Sequence, residues 1–319
     1  MLLYLSDSFL QHDTGSHPEC IARIENVNAT LREGTDGQPS WTEKCTCPNW
    51  GLAQPEQLTR VHSQEYIQQL ENWCKSDAGQ VESDTYVCPG TWRAALNGAG
   101  ASTDAVQRVI RGESSTAFCA IRPPGHHALP SGPMGFCVLN NVAVAAEAAL
   151  SAGLARVLIV DWDVHHGNGT QDAFYESDRV GFYSIHRSPF YPGTGSQTET
   201  GTRRGLGWTL NCPVTAGILK QQFFDRFQSG LDQIAAKVKP ELILLSAGFD
   251  AHREDPVGGL CLESGDFAKL TRQVRDVANA YCEGKLVSLL EGGYHLQHLP
   301  ESVDVHVDTL YQSMPESQK

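Results

Sequence analysis

The stretch Val157–Gly169 reads VLIVDWDVHHGNG. Val157-Leu158-Ile159-Val160 is apolar on both faces, the pattern of a parallel strand covered by helices on either side. It then runs directly into Asp161, Asp163, His165, His166 and Asn168. Buried strands do not ordinarily end in so many carboxylates and imidazoles. In open parallel sheets, ligands bind outside the carboxyl ends of the strands. A site at the end of this strand, on an α/β scaffold, is therefore the first expectation.

Working outward, six further short apolar runs read as strands: Leu2–Leu5, Thr116–Ile121, Val180–Ile185, Trp208–Leu210, Leu242–Ser246 and Leu286–Leu290. Helical patterns lie between them. NNVAVAAEAALSAG is an Ala-rich helix closed by Gly153, and LKQQFFDRFQSGLDQIAAKV and ESGDFAKLTRQVRDVANAYC are amphipathic at helical spacing. The segment from about Gly34 to Trp92 is less regular and reads as a rim of loops and short helices. Residues after about Ser313 read as a frayed tail, with 314–319 flexible. The 319 residues allow two domains at roughly 150 residues each. The unbroken β-α alternation, without repeat or low-complexity linker, argues instead for one α/β domain over 1–319: a mainly parallel sheet with helices on both faces.

Lys plus Arg number 24 against 37 Asp plus Glu, a net charge of −13. This disfavours direct nucleic-acid binding, which rests on cationic side chains, and favours cationic ligands. Ten cysteines occur without a metal-spaced CxxC pair, and they read as free thiols of a reducing, cytoplasmic compartment. MLLYLSDSF lacks a basic leader region, and no run of 18 apolar residues predicts a membrane span.

Four strand ends carry titratable groups. His126 and His127 follow Thr116–Ile121 in RPPGHHALP; Asp161, Asp163 and His165 follow Val157–Val160; Asp250 follows Leu242–Ser246 in SAGFDAH; and Gly292-Gly293-Tyr294 follow Leu286–Leu290. Asp163 and His165, two apart at a strand end, can face the same way. With Asp250 they offer O, N and O to one metal, the ligand count of catalytic zinc with a place left for water. His126 and His127 are candidates for proton transfer, with Asp161 and Asn168 as spare partners. Tyr294, after two glycines, could donate to an oxyanion opposite the metal.

The stretches HPECIAR, RPPGHHA, GFCVLNNVAVAA, VDWDVHHGNGTQDAFY, SPFYPGTG, SAGFDAH and LEGGY together resemble the zinc-dependent histone deacetylase family, in family order and across nearly the whole chain. Asn168 and Glu291-Gly292-Gly293-Tyr294 look like the class II and bacterial branch. The resemblance implies the arginase-like α/β fold and hydrolysis of acetyl or other acyl groups from the ε-amine of lysine, or from acetylated polyamines or other small amides. It implies one catalytic zinc on Asp163, His165 and Asp250, His127 as general base and then acid, His126 paired with Asp161 as its electrostatic partner, and Tyr294 polarising the amide. It further implies a tunnel walled by Phe136 and Tyr191 beside Gly135 and Gly293, with Val257 as gatekeeper and Asp84 at the rim. A structural potassium would be held by backbone oxygens of Asp161, Asp163, His165 and Ile185 with the side chains of Asp161 and Ser184. The oligomeric state stays open. Two rival readings are an arginase-like ureohydrolase, which needs two metals and further carboxylates, and an inactive binding module of the same fold. Valine at 257 lacks the carboxylate by which polyamine-specialised members pair an internal ammonium, so acyl-lysine is expected over acetylpolyamine.

Overall fold

The computed structural model describes residues 1–33 and 39–312. The expected tail, and Gly34 at the start of the less regular segment, lie outside them. Seven parallel strands form the sheet: β1 (Leu2–Tyr4), β2 (Thr116–Cys119), β3 (Val157–Asp161), β4 (Val180–Arg187), β5 (Thr209–Val214), β6 (Leu242–Ala247) and β7 (Leu286–Leu290). Their order across the sheet is β1-β2-β7-β6-β3-β4-β5. The last two strands in the chain are thus inserted between the second and third. The four strands whose ends carry the candidate residues, β2, β7, β6 and β3, lie side by side at the centre.

Every residue of β2, β3, β6 and β7 is buried, which is why these segments read as unbroken apolar runs. A fully buried Val, Leu or Ile stabilises by about 1.5–3 kcal/mol relative to exposure. The fifth strand is longer than its sequence pattern, reaching through Pro213 to Val214. It is an edge strand, where a missing N–H is tolerated.

Eight main helices pack around the sheet: α1 (Ile21–Glu33), α2 (Gln64–Lys75), α3 (Thr91–Ile110), α4 (Asn141–Ser151), α5 (Asn168–Phe174), α6 (Lys220–Val238), α7 (Phe267–Cys282) and α8 (His298–Gln312). The expected helices appear as α4, α6 and α7, and Gly153, just past α4, takes a φ of 103°. The sequence reading did not mark α3. Its buried residues are mainly Ala, Gly, Ser and Thr, which make a weakly apolar stripe, and these small side chains are what let this helix sit inside the structure. From residue 39 to Trp92 the chain is also better ordered than expected. It contains the 12-residue α2, and Leu58, Tyr66, Leu70, Cys74 and Val87 form a second apolar cluster with Ala95, Ala99, Val138, Leu139 and Val144. All ten cysteines are free thiols. No described helix is long and apolar enough to cross a membrane.

One core histidine sets a pH dependence. His306 of α8 is fully buried, with Thr271 Oγ1 2.7 Å from Nδ1 and Ser288 Oγ 2.8 Å from Nε2. Burial pushes its pKa down to about 3, whereas the unfolded chain takes up the proton near 6.5. The stability it contributes is present above pH 6.5 and is lost as pH falls from there toward the folded value. Between pH 7 and pH 5, wild type should therefore lose about 2 kcal/mol relative to His306→Gln. Urea denaturation of both proteins at the two pH values tests this; an unchanged difference refutes it.

Candidate active site

Beyond β3 the backbone leaves the sheet, so Asp163 and His165 stand on a loop and not on the strand end expected from the sequence. What turns them together is backbone N–H donation, not strand pleat. The Asp163 N–H donates to Asp161 Oδ1 (3.1 Å), the His165 N–H to Asp163 Oδ1 (2.9 Å) and the Val164 N–H to Asp250 Oδ1 (2.8 Å). From β7, the Gly292 N–H donates to Asp163 Oδ2 at 2.9 Å. A Cβ at Gly292 would lie 2.5 Å from Asp163 Oδ2 and against Asp250 Oδ2, so only glycine brings this turn so near both carboxylates.

The result is a buried cluster. One ligand atom each from Asp163, His165 and Asp250 lie within 4.8 Å of one another. His165 Nδ1 is 3.0 Å from both Asp163 Oδ1 and Asp250 Oδ2. Burial and the Asp163 carboxylate push Asp250 up to about 7. Burial would lower His165, but the two carboxylates push it up to about 10. Two buried carboxylates facing one imidazole are an electrostatic deficit that a divalent cation would fill.

The paired histidines lie beside this cluster, with ring centroids 4.1 Å apart. His126 Nδ1 is 2.9 Å from Asp161 Oδ2, and His127 Nδ1 is 2.7 Å from Asn168 Oδ1. The two spare partners thus divide as the sequence suggested, a carboxylate behind one ring and an amide behind the other. Their titrations split accordingly. Burial opposes charge at His126, but Asp161 and Asp163 hold its pKa well above the usual range. Burial, then the cations at His126 and His165, keep His127 well below it.

Tyr294 is 8% exposed, and burial keeps its phenol protonated well past neutrality. The turn before it is fixed by Arg23 of α1, which donates to the carbonyls of Gly293 (Nε, 2.5 Å) and Glu291 (Nη2, 2.7 Å). The guanidinium carbon of Arg23 also sits 4.7 Å from the centre of the Tyr294 ring. Arg23 and Arg122 both reach Glu19 Oε1 at 2.7 Å.

A cavity of about 210 Å³ opens onto these groups, lined by Asp84, His127, Gly135, Phe136, His165, Phe190, Tyr191, Val257 and Tyr294. The expected wall, gatekeeper and rim residues therefore meet in one place. Gly293 is not among the lining residues; its carbonyl is taken by Arg23. Gly135 has a φ of 56°, and a Cβ there would come 2.5 Å from His127 Cδ2. Phe136 follows at φ 69°, a costly conformation for a non-glycine residue; its N–H donates to Thr85 Oγ1 at 3.1 Å. Of the residues tied to the potassium expectation, Asp161 and Ser184 are register partners on β3 and β4, and Ser184 Oγ lies 2.9 Å from His186 Nδ1.

Three contributors were not singled out from the sequence. Phe190 stacks on His165 with ring centroids 5.1 Å apart. Glu291 accepts from the N–H groups of Gly125 (2.6 Å) and His126 (3.1 Å) and from Ser246 Oγ (3.0 Å), tying β7 and β6 to the histidine loop. Arg23 is the third. A Glu directly after the apolar run Leu286–Leu290 was the available signal for Glu291, and the motif HPECIAR already contained Glu19 and Arg23.

The family model described as histone deacetylase domain matches residues 17–310. A probable deacetylase of Archaeoglobus fulgidus is 37% identical over 292 residues, covering 91% of this chain and 80% of that protein. The histone deacetylase-like amidohydrolase of Pseudomonas aeruginosa is 38% identical over 250 residues, covering 78% of this chain and 66% of that protein. The crystal structure of the HDA15 HD domain superposes with a TM-score of 0.89 at 33% identity, covering 99% of this chain and 90% of that one. With the sheet, the strand-end cluster and these likenesses in agreement, the chain belongs to the histone deacetylase family of hydrolases.

Proposed function

We propose that this chain is a zinc-dependent amidohydrolase that removes acetyl, or another acyl group, from the ε-amine of lysine in peptides or proteins. One observation carries the reading. A cavity with aromatic walls reaches His165 of a buried Asp-His-Asp cluster, and the same cavity is lined by a histidine held neutral and a tyrosine held protonated.

The donor set fits zinc: two carboxylates and one imidazole, buried, each carboxylate oriented by backbone N–H groups. Zinc held by Asp163, His165 and Asp250 would polarise the amide carbonyl and acidify water. The remaining work falls to the protein. His127, with its Nδ1–H directed at Asn168 Oδ1, keeps the Nε2 lone pair free to accept a proton from the attacking water. It then returns the proton to the departing lysine nitrogen. His126, held cationic between Asp161 and Asp163, adds positive charge beside the developing anion. The Tyr294 hydroxyl donates to the carbonyl oxygen as negative charge gathers there. Phe136, Phe190, Tyr191 and Val257 give the methylene stem of lysine an apolar channel that excludes water. We further propose that potassium sits behind β3, on backbone oxygens of Asp161, Asp163, His165 and Ile185 with the side chains of Asp161 and Ser184. The free thiols support a reducing compartment such as the cytoplasm.

Asp84 decides between substrate classes. It lines the mouth and is only half-buried, and burial together with the Glu82 carboxylate pushes it up to about 6. Ionised, it accepts hydrogen bonds from the peptide N–H groups flanking an acyl-lysine. Asp84→Asn should therefore reduce kcat/KM for acetyl-lysine peptides by about 10-fold, the loss of one or two hydrogen bonds to a charged group, and leave small acetylated amides nearly unchanged. The experiment is a zinc-loaded panel of acyl-lysine peptides against acetylated polyamines. Faster turnover of acetylspermidine than of every peptide refutes the lysine assignment, and no turnover of any acylated amine refutes the amidohydrolase reading itself.

A further inference from the structure

Outside the cavity, beyond the residues used above, the loop after Asp250 meets the segment after Tyr294. Glu254 comes from the first, and His295 and His298 from the second. One ligand atom from each of the three lies within 4.8 Å of the others. We propose that these residues form a second divalent-metal site, for a borderline ion of the zinc type, that clamps the two loops together at the tunnel rim.

The environment of His298 is the main argument. Its Nε2 lies 3.0 Å from Glu254 Oε2 and its Nδ1 2.8 Å from Glu301 Oε2. Carboxylate oxygens thus face both nitrogens of one imidazole, Glu254 on the side that also faces His295 and Glu301 on the other. Replacing the Nε2 proton by a metal ion keeps the Glu254 carboxylate as a ligand. It leaves Nδ1–H donating to Glu301, the carboxylate-histidine-metal arrangement that orients metal-bound imidazoles.

His295 is available as the third ligand. Its Nδ1 accepts only two long contacts, from the N–H groups of Gln297 (3.3 Å) and His298 (3.2 Å). Its ring lies 4.2 Å from that of His298, and buried His252 stacks on the other side at 4.3 Å, so the imidazoles are held in place by packing. Arg253, the cation next to Glu254 in sequence, is paired with Glu263. Two imidazoles and one carboxylate with an open position suit zinc, whereas calcium and magnesium prefer all-oxygen sites.

The location gives the site a consequence. Asp255 already ties the same two segments from inside, with Oδ2 accepting from the Tyr294 N–H (2.6 Å) and Oδ1 from the N–H groups of Val257 (2.9 Å) and Gly258 (2.8 Å). An ion on Glu254, His295 and His298 fastens from outside the loops that present Val257 and Tyr294 to the cavity.

The test is a calorimetric titration of the metal-stripped full chain with Zn2+ alone. Two binding steps are expected in wild type. His298→Ala and, as a surface change that leaves α8 intact, Glu254→Gln should each abolish the weaker step and keep the tighter. Glu301→Gln should weaken that step about 10-fold or more, the scale for losing an outer carboxylate partner. Asp250→Ala should do the reverse, removing the tighter step and keeping the weaker, so the rim site is read independently of turnover and of the buried site. A single step in wild type that Asp250→Ala eliminates, or a weaker step unchanged in both His298→Ala and Glu254→Gln, overturns the proposal.

Discussion

Asp250→Ala should yield a folded protein that retains no tightly bound ion after dialysis and whose turnover falls by at least about 10³, since a metal acting on a carbonyl supplies several kcal/mol. Asp250 is fully buried and faces Asp163 across His165. Removing one of three ligands leaves two, too few to retain the ion. The fold should not suffer, because the metal-free protein buries like charges there: burial and Asp163 already push the Asp250 carboxyl up to about 7. Metal-free Asp250→Ala should therefore melt no lower than metal-free wild type, whereas added zinc should raise the melting temperature far more in wild type, through binding to the native state. Elemental analysis and thermal unfolding with and without zinc measure both. A variant that keeps the tight ion or its turnover shows that the assigned centre is wrong.

His127→Ala should lower kcat by about 10²–10⁴ with zinc still bound, the range for losing a positioned acid–base group. Tyr294→Phe should cost about 10²–10³, also with zinc in place, as for one oxyanion donor. His126→Ala should be milder, since the role proposed for that residue is to supply charge and not a proton. The split between the two histidines comes from what stands behind each ring. Asp161 keeps His126 cationic, and the amide of Asn168 orients His127 without charging it. If His126→Ala proves the more damaging of the two, the assignment of base and partner is inverted.

The sequence could reveal the strands because those at the centre are buried on both faces, and it could reveal the site because polar groups at their ends break that pattern. Asp163, His165 and Asp250 were legible for that reason, although the loop geometry that turns them together was not. Three things stayed hidden for physical reasons. The buried face of α3 is built mainly from Ala, Gly, Ser and Thr, whose weak hydropathy makes a buried helix hard to recognise as one. Glu291 acts through backbone N–H groups of a loop far away in sequence, so its place directly after an apolar run marked the residue but not what it holds. Phe190 becomes part of the wall only because its ring stacks on His165, a contact between separate segments. Strand order was also out of reach. Nothing local to β6 or β7 says that they enter between β2 and β3.

That insertion has a kinetic cost. A chain emerging in order makes β2 and β3 early, yet neither can find its central neighbour until the last third of the polypeptide exists: Thr116 pairs in register with Leu286, and Val157 with Leu242. Until then two apolar strands have open edges, the kind of surface that pairs with the wrong chain. Contacts of such long sequence separation slow folding, because the intervening loop must close before any pairing rewards it. The nascent protein therefore has its hydrophobic centre least protected until the last strands are made, and the groups of its candidate site converge only in the final closing of the sheet.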